Sequence, residues 1–60
     1  MNFTEAVRLM AKGNKLRRST WVPISWVIYN TNKLWFEDMN GNIWNPTMGS
    51  FKATDWELFG

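Results

Sequence analysis

Lys15-Leu16-Arg17-Arg18-Ser19-Thr20-Trp21 decides how the rest of this chain folds. Three cations, one apolar residue and then a large aromatic make it the most electropositive part of the sequence. It begins where an amphipathic segment closes in Gly13-Asn14, so a helix ends just before it and a strand starts within it. The remainder of the chain is a short, tryptophan-rich β pattern that has to fold around these two pieces.

Upstream, Asn2 to Gly13 reads as a helix. Phe3, Ala6, Val7 and Met10 recur at i, i+3, i+4 and i+7 and form one apolar stripe. Asn2 supplies an N-cap and Glu5, three residues on, completes the pattern of a capping box. Lys12 sits where the helix dipole favours a cation, and Gly13 suits the left-handed position past the end. A helix this short is marginal alone in water, so its stripe must be buried on something.

Downstream, the pattern predicts a sheet. Lys15 to Arg18 is a first strand, and Val22-Pro23 interrupts because Pro cannot donate to a ladder. Ser25 to Asn30 is a second strand, rich in β-branched and aromatic residues. Thr31-Asn32-Lys33 makes a turn and Leu34 to Met39 a third strand. Asn40-Gly41 predicts a type I′ hairpin, with Asn42 to Asn45 returning as a fourth strand. Pro46 to Ser50 reads as a loop, Phe51 to Thr54 as a turn or bend, and Asp55 to Phe59 as a closing strand. The predicted fold is therefore α+β, an N-terminal helix packed on a four- to five-stranded antiparallel sheet, in one domain spanning residues 1–60.

Both faces of these strands carry apolar side chains. Trp26 and Ile28 oppose Val27 and Tyr29, while Leu34 and Phe36 oppose Trp35 and Met39. One helix covers one face, and a soluble monomer rarely leaves a large second face bare. A homo-oligomer packed through the face away from the helix is expected.

Composition narrows the function classes. At 60 residues the chain buries only roughly 60% of its unfolded surface. With no Cys and no His it has no disulfide, no ordinary zinc site and none of the commonest general base. Five Trp, four Phe and one Tyr supply dense aromatic packing instead. Net charge is only +2, but Arg8, Lys12, Lys15, Arg17 and Arg18 cluster without an acid among them. Glu37, Asp38, Asp55 and Glu57 lie later, so the molecule is expected to be polarised, with a basic patch from the front of the chain. No apolar run approaches the ~20 residues of a membrane span, and the start lacks the apolar core of a signal peptide. A cytosolic protein is the plain reading.

An enzyme is not expected. Glu37 and Asp38 are adjacent and face opposite ways on a strand; Asp55 and Glu57 share a face but have no nucleophile or metal cluster beside them. Gly41 and Gly49 are isolated and form no phosphate loop. Binding fits better. Arg17, Arg18 and Trp21 join anion contact to a stacking surface, against the plainer reading of a solvated basic strand and a core tryptophan. Trp21 and Trp44 each border a Pro-containing loop and are the ligand candidates among the tryptophans. Trp26, Trp35 and Trp56 lie within strand patterns and read as packing, as does Phe3 on the helix stripe. A single-stranded nucleic-acid binder would also interleave cations with aromatics, but the low net charge argues against it.

Two groups of residues carry a resemblance. At the front stand Phe3, Glu5-Ala6, Gly13 and Arg18-Ser19-Thr20-Trp21; at the end stand Trp44, Thr47, Ser50-Phe51 and Ala53-Thr54-Asp55-Trp56. In order and spacing these resemble the second type of phage Thoeris anti-defence family, over the first 21 and last 17 residues. Ser50 stands where that family usually has Asp, and the chain is shorter between Trp21 and Trp44 than typical members. The resemblance implies a small oligomeric protein of the host cytoplasm that sequesters cyclic nucleotide immune signals, such as cyclic ADP-ribose isomers, where subunits meet. No cofactor and no metal are expected. Phe3, Trp21 and Trp44 would stack on or enclose the base, Arg18 and Arg17 would meet phosphates, and Thr47 and Asp55 would hydrogen-bond phosphate or ribose oxygens. Direct inhibition of a host defence protein is the alternative.

Overall fold

The computed structural model describes residues 1–59; Gly60, the last position of the predicted domain, lies outside them. Helix α1 runs Phe3–Ala11, strands β1 Leu16–Arg18, β2 Val27–Asn30 and β3 Trp35–Asp38 come next, then helix α2 Met48–Lys52 and strand β4 Trp56–Leu58. The four strands form one sheet in the order β3-β2-β1-β4, with every neighbour antiparallel. The predicted α+β fold, a helix on an antiparallel sheet, is the one observed.

Local chemistry accounts for α1 at both ends. The Asn2 side chain accepts from the Glu5 amide at 2.9 Å, and the Glu5 carboxylate accepts from the Asn2 amide at 3.4 Å. At the far end Gly13, at φ +96°, lets its own amide reach Met10 and the Asn14 amide reach Leu9. That is a Schellman closure, and it turns the chain directly into β1. Ala6 and Met10 on the stripe are fully buried, against Leu16, Val27 and Trp56 of the sheet.

Three expectations are corrected. The predicted strand Asn42–Asn45 is only a bridge, Ile43 opposite Glu37, because Pro46 soon removes the donor that a ladder needs. The Asn40-Gly41 turn is not type I′: Gly41 has φ +80° while Asn40 stays at negative φ. Residues 39–41 form a three-residue loop in which Gly41 donates to Asp38 at 3.0 Å and Asp38 donates to Asn42 at 2.9 Å. Such a loop ends in one left-handed residue, and Gly41 supplies it. Lastly, the stretch expected to be loop and bend holds α2, capped by Thr47, whose hydroxyl accepts from the Ser50 amide at 3.4 Å.

The β2–β3 connection is also tighter than a simple turn. Asn30 accepts from the amides of Asn32 and Lys33 through its side chain, and from Leu34 through its carbonyl. Leu34 is thereby held at φ +61° and is 74% exposed. The predicted third strand therefore begins one residue later, at Trp35.

Register sets the two faces. Leu16, Val27, Tyr29, Phe36 and Trp56 face α1, and Trp44 packs with them from the segment that crosses to β4. On the opposite face lie Arg17, Ile28, Trp35, Glu37 and Glu57. The second face is not bare. Lys33 Nζ sits 5.3 Å from the Trp35 ring, the Trp35 indole donates to Glu37 at 2.8 Å, and Arg17 pairs with Glu57 at 2.8 Å.

Candidate functional site

The best-formed concavity is an open cleft of about 340 Å³ at the end of the sheet where β2 begins and β3 ends. The β1–β2 connection supplies Trp21, Val22, Ser25 and Trp26; Asp38, Met39 and Asn40 come from the end of β3 and its loop. Trp44 and Val27 complete the lining. The Trp21 and Trp44 rings lie 5.9 Å apart at 74°, so two aromatic planes make a corner. Both rest on buried Trp56, at 5.5 and 6.0 Å, which fixes the corner from beneath. Trp56 is anchored in turn by its indole N–H, which donates to the Ser50 carbonyl at 3.1 Å.

Sequence reasoning selects seven residues, and the structure distributes them. Trp21 and Trp44 meet at the cleft. Arg18 and Asp55 meet each other: Arg18 Nε donates to Asp55 Oδ1 at 2.6 Å, and Ser19 Oγ donates to Oδ2 at 3.0 Å. The Arg18 hydrogen bond, with Ser19 behind it, holds the Asp55 carboxyl below its ordinary value of 3.8. Arg17 lies on the other sheet face, donating from Nη1 to Glu57 at 2.8 Å and from Nη2 to the Trp21 carbonyl at 2.6 Å. Its Nε is buried without a partner among the described residues. Phe3 packs on Phe51, Trp56 and Phe36 at 5.0, 5.6 and 6.1 Å, inside the helix-side layer. Thr47 caps α2 and shares a 3.4 Å contact with the Ser50 hydroxyl. Neither Phe3 nor Thr47 lines the cleft.

The cleft adds residues that the sequence pattern does not single out. Trp26, by pattern a packing residue, borders it while meeting Phe59 at 6.3 Å and carrying Lys15 Nζ 4.5 Å from its ring centre. Asp38 and Asn40 look in sequence like plain strand and turn. A signal exists nonetheless, since Asp-x-Asn is the composition of a side-chain-closed turn and such loops often border sites. The predicted basic patch is reduced: Arg17 and Arg18 are paired, whereas Arg8, Lys12 and Lys15 remain exposed. No group of acidic residues that could hold a metal ion occurs among the described residues.

Fold and cleft together define a small α+β domain with an indole-walled surface pocket. Over residues 1–59 the chain matches the Thoeris anti-defense 2-like domain, and it belongs to that family. Its role is accordingly anti-defence, the evasion of Thoeris immunity. No curated protein and no solved structure matches the chain. No helix among the described residues is long and apolar enough to cross a membrane.

Proposed function

We propose that the chain binds and sequesters a cyclic nucleotide immune signal, of the cyclic ADP-ribose type or a cyclic oligonucleotide, with a base and its ribose in the indole-walled cleft. The observation that carries this reading is the corner of Trp21 and Trp44, two rings 5.9 Å apart and 74° off parallel beside open space. A flat base stacked on one ring presents its edge to the other, and base–aromatic stacking contributes about 1–3 kcal/mol. At about 340 Å³ the cleft lies at the low end of small-molecule sites, which run from roughly 300 to 1,000 Å³. One base and its sugar suit that space better than a whole cyclic dinucleotide.

The phosphates need cations, and none lines the cleft. Arg18 uses only Nε internally and keeps both terminal nitrogens for an anion, whereas both terminal nitrogens of Arg17 are engaged. Exposed Arg8, Lys12 and Lys15 offer further charge. In this proposal the protein is a homo-oligomer packed through the sheet face of Ile28 and Trp35, and a second copy's cations complete the site. The chain acts as a binder in the host cytoplasm and does no chemistry on the signal.

A second reading, direct inhibition of a host defence protein, draws on the loop that borders the cleft. Val22 and Ile24, 62% and 67% exposed on either side of Pro23, form an apolar loop tip suited to a protein partner.

A thermal shift against cyclic ADP-ribose isomers, ADP-ribose and cyclic oligonucleotides tests the first reading. A ligand at 100 times its dissociation constant stabilises by about 2.7 kcal/mol. In a domain of this size each kcal/mol moves the midpoint by roughly 4–8 °C. A shift with one compound supports sequestration and identifies the signal. Silence across the panel, with a host protein retained in a pull-down, transfers the function to the second reading.

A further inference from the structure

We infer that Asp38 selects the base in the cleft, its free oxygen Oδ2 accepting a hydrogen bond from the 6-amino group of an adenine stacked in the Trp21–Trp44 corner. This rests on the sequestration reading above and sharpens it to one base and one residue.

The two oxygens of Asp38 have different duties. Oδ1 accepts from the Asn40 amide at 2.9 Å and from the Asn42 amide at 3.1 Å, so the carboxylate is locked by its own loop. Oδ2 receives no hydrogen bond from the described residues. The side chain is half-buried at the cleft, and it brings the only charge among the lining residues. A fixed carboxylate there repels phosphate and attracts N–H, so it marks the end of the cleft where a neutral base edge belongs.

Its saturation on one side separates the two purines. A guanine edge offers N1–H and the 2-amino group side by side, a pair that a carboxylate reads best with one oxygen each, and Oδ1 is already taken by two amides. Adenine offers a single amino group, which one free oxygen satisfies. Wherever a site holds a fixed acceptor for a ligand N–H, an analogue lacking that group leaves the acceptor unpaired and binds more weakly.

Two probes isolate the contact: ADP-ribose, and the same molecule with unsubstituted purine in place of adenine. They differ only in the 6-amino group. The full chain, labelled with 15N, is titrated with each, and the indole N–H resonances of Trp21, Trp26 and Trp44 report the cleft. ADP-ribose is expected to bind about tenfold more tightly than its purine counterpart, the low end for a hydrogen bond to a charged group.

Asp38→Asn keeps one oxygen for the Asn40 and Asn42 amides and turns the free oxygen into an NH₂ donor. The loop resonances and thermal midpoint should stay in place while the tenfold preference vanishes. A purely structural aspartate would not move that ratio. Equal binding of the two probes by the unaltered chain, or a preference that survives Asp38→Asn, removes Asp38 from the role and leaves sequestration standing. Equal weakening of both probes in Asp38→Asn puts the carboxylate on the ribose and overturns the adenine assignment. Binding of an adenine-free panel member where ADP-ribose is silent overturns it too. If no nucleotide in the panel moves any indole, sequestration itself fails and this assignment falls with it.

Discussion

The two faces of the sheet use the same residue types in opposite ways. On the helix side Phe3, Phe36, Trp21, Trp44 and Trp56 touch ring to ring, at 5.0–6.1 Å with their neighbours, around a core that includes fully buried Met10 and Leu16. On the outer side, and at the end where Trp26 sits, indoles are matched with polar groups of the same chain. Trp26 carries Lys15, and Trp35 carries Lys33 while donating to Glu37. An aromatic on the first side is held by exclusion of water, and one on the second by a local electrostatic partner. A chain of this size without cysteine or histidine needs the first kind for stability. The second kind leaves a face that can still be covered.

The sharpest way to break this contrast is Trp56→Ala. Trp56 is 2% exposed and underlies both cleft indoles, and truncating a buried Trp costs about 3–5 kcal/mol. A small single core rarely supplies more than about 3–5 kcal/mol in all. The variant should be largely unfolded at 25 °C by circular dichroism, and a cooperative native-like melt would show that the helix-side layer is not what holds the fold.

Trp21→Ala should cost less, about 2 kcal/mol for a half-buried ring. It is expected to stay folded and to lose every ligand-induced thermal shift. Complete unfolding would move Trp21 from the cleft wall into the core. On the other face, Trp35→Ala is expected to lower stability by about 1 kcal/mol or less, the range of a partly exposed cation–π contact. Its main consequence should be weaker self-association in sedimentation velocity; an unchanged association state would remove this face from the proposed oligomer.

The smallest effect is on acid stability. A hydrogen bond from Trp35, then one from Asn30, holds Glu37 below its ordinary 4.5, and Arg18, then Ser19, holds Asp55 below its ordinary 3.8. Both groups therefore stabilise the fold in full above those values. The contribution fades as pH falls through the lower folded-state values. Asp55→Asn should flatten the drop in midpoint below about pH 4, measured by thermal melts across that range. An unaltered slope would mean that the Arg18 pair adds nothing to the folded state.

Local features were legible because each is decided within a few residues. Asn2 and Glu5 box the helix start and Gly13 turns out of its end, so α1 stands where periodicity placed it. Helix α2 was not legible, since Met48–Lys52 is too short to show a period and its cap, Thr47, comes directly after a proline. The Asn40-Gly41 pair signalled a hairpin correctly but not its loop length. That was set by Asp38, whose side chain gathers two amides and makes room for a third loop residue.

By itself the sequence determined a capped helix, the alternation of the strands, an aromatic core in a chain without cysteine, and the family pattern at both ends. All of these rest on short-range spacing and composition. Tertiary structure alone decided the partners of the charges and the makeup of the cleft. Pairing β1 with β4 sets Arg17 opposite Glu57 and brings Arg18 onto Asp55, so cations that looked free are largely spoken for. The cleft gathers Trp21, Asp38 and Trp44 from separate connections onto one end of the sheet. Register is a property of two strands at once, and no single stretch of the chain carries it.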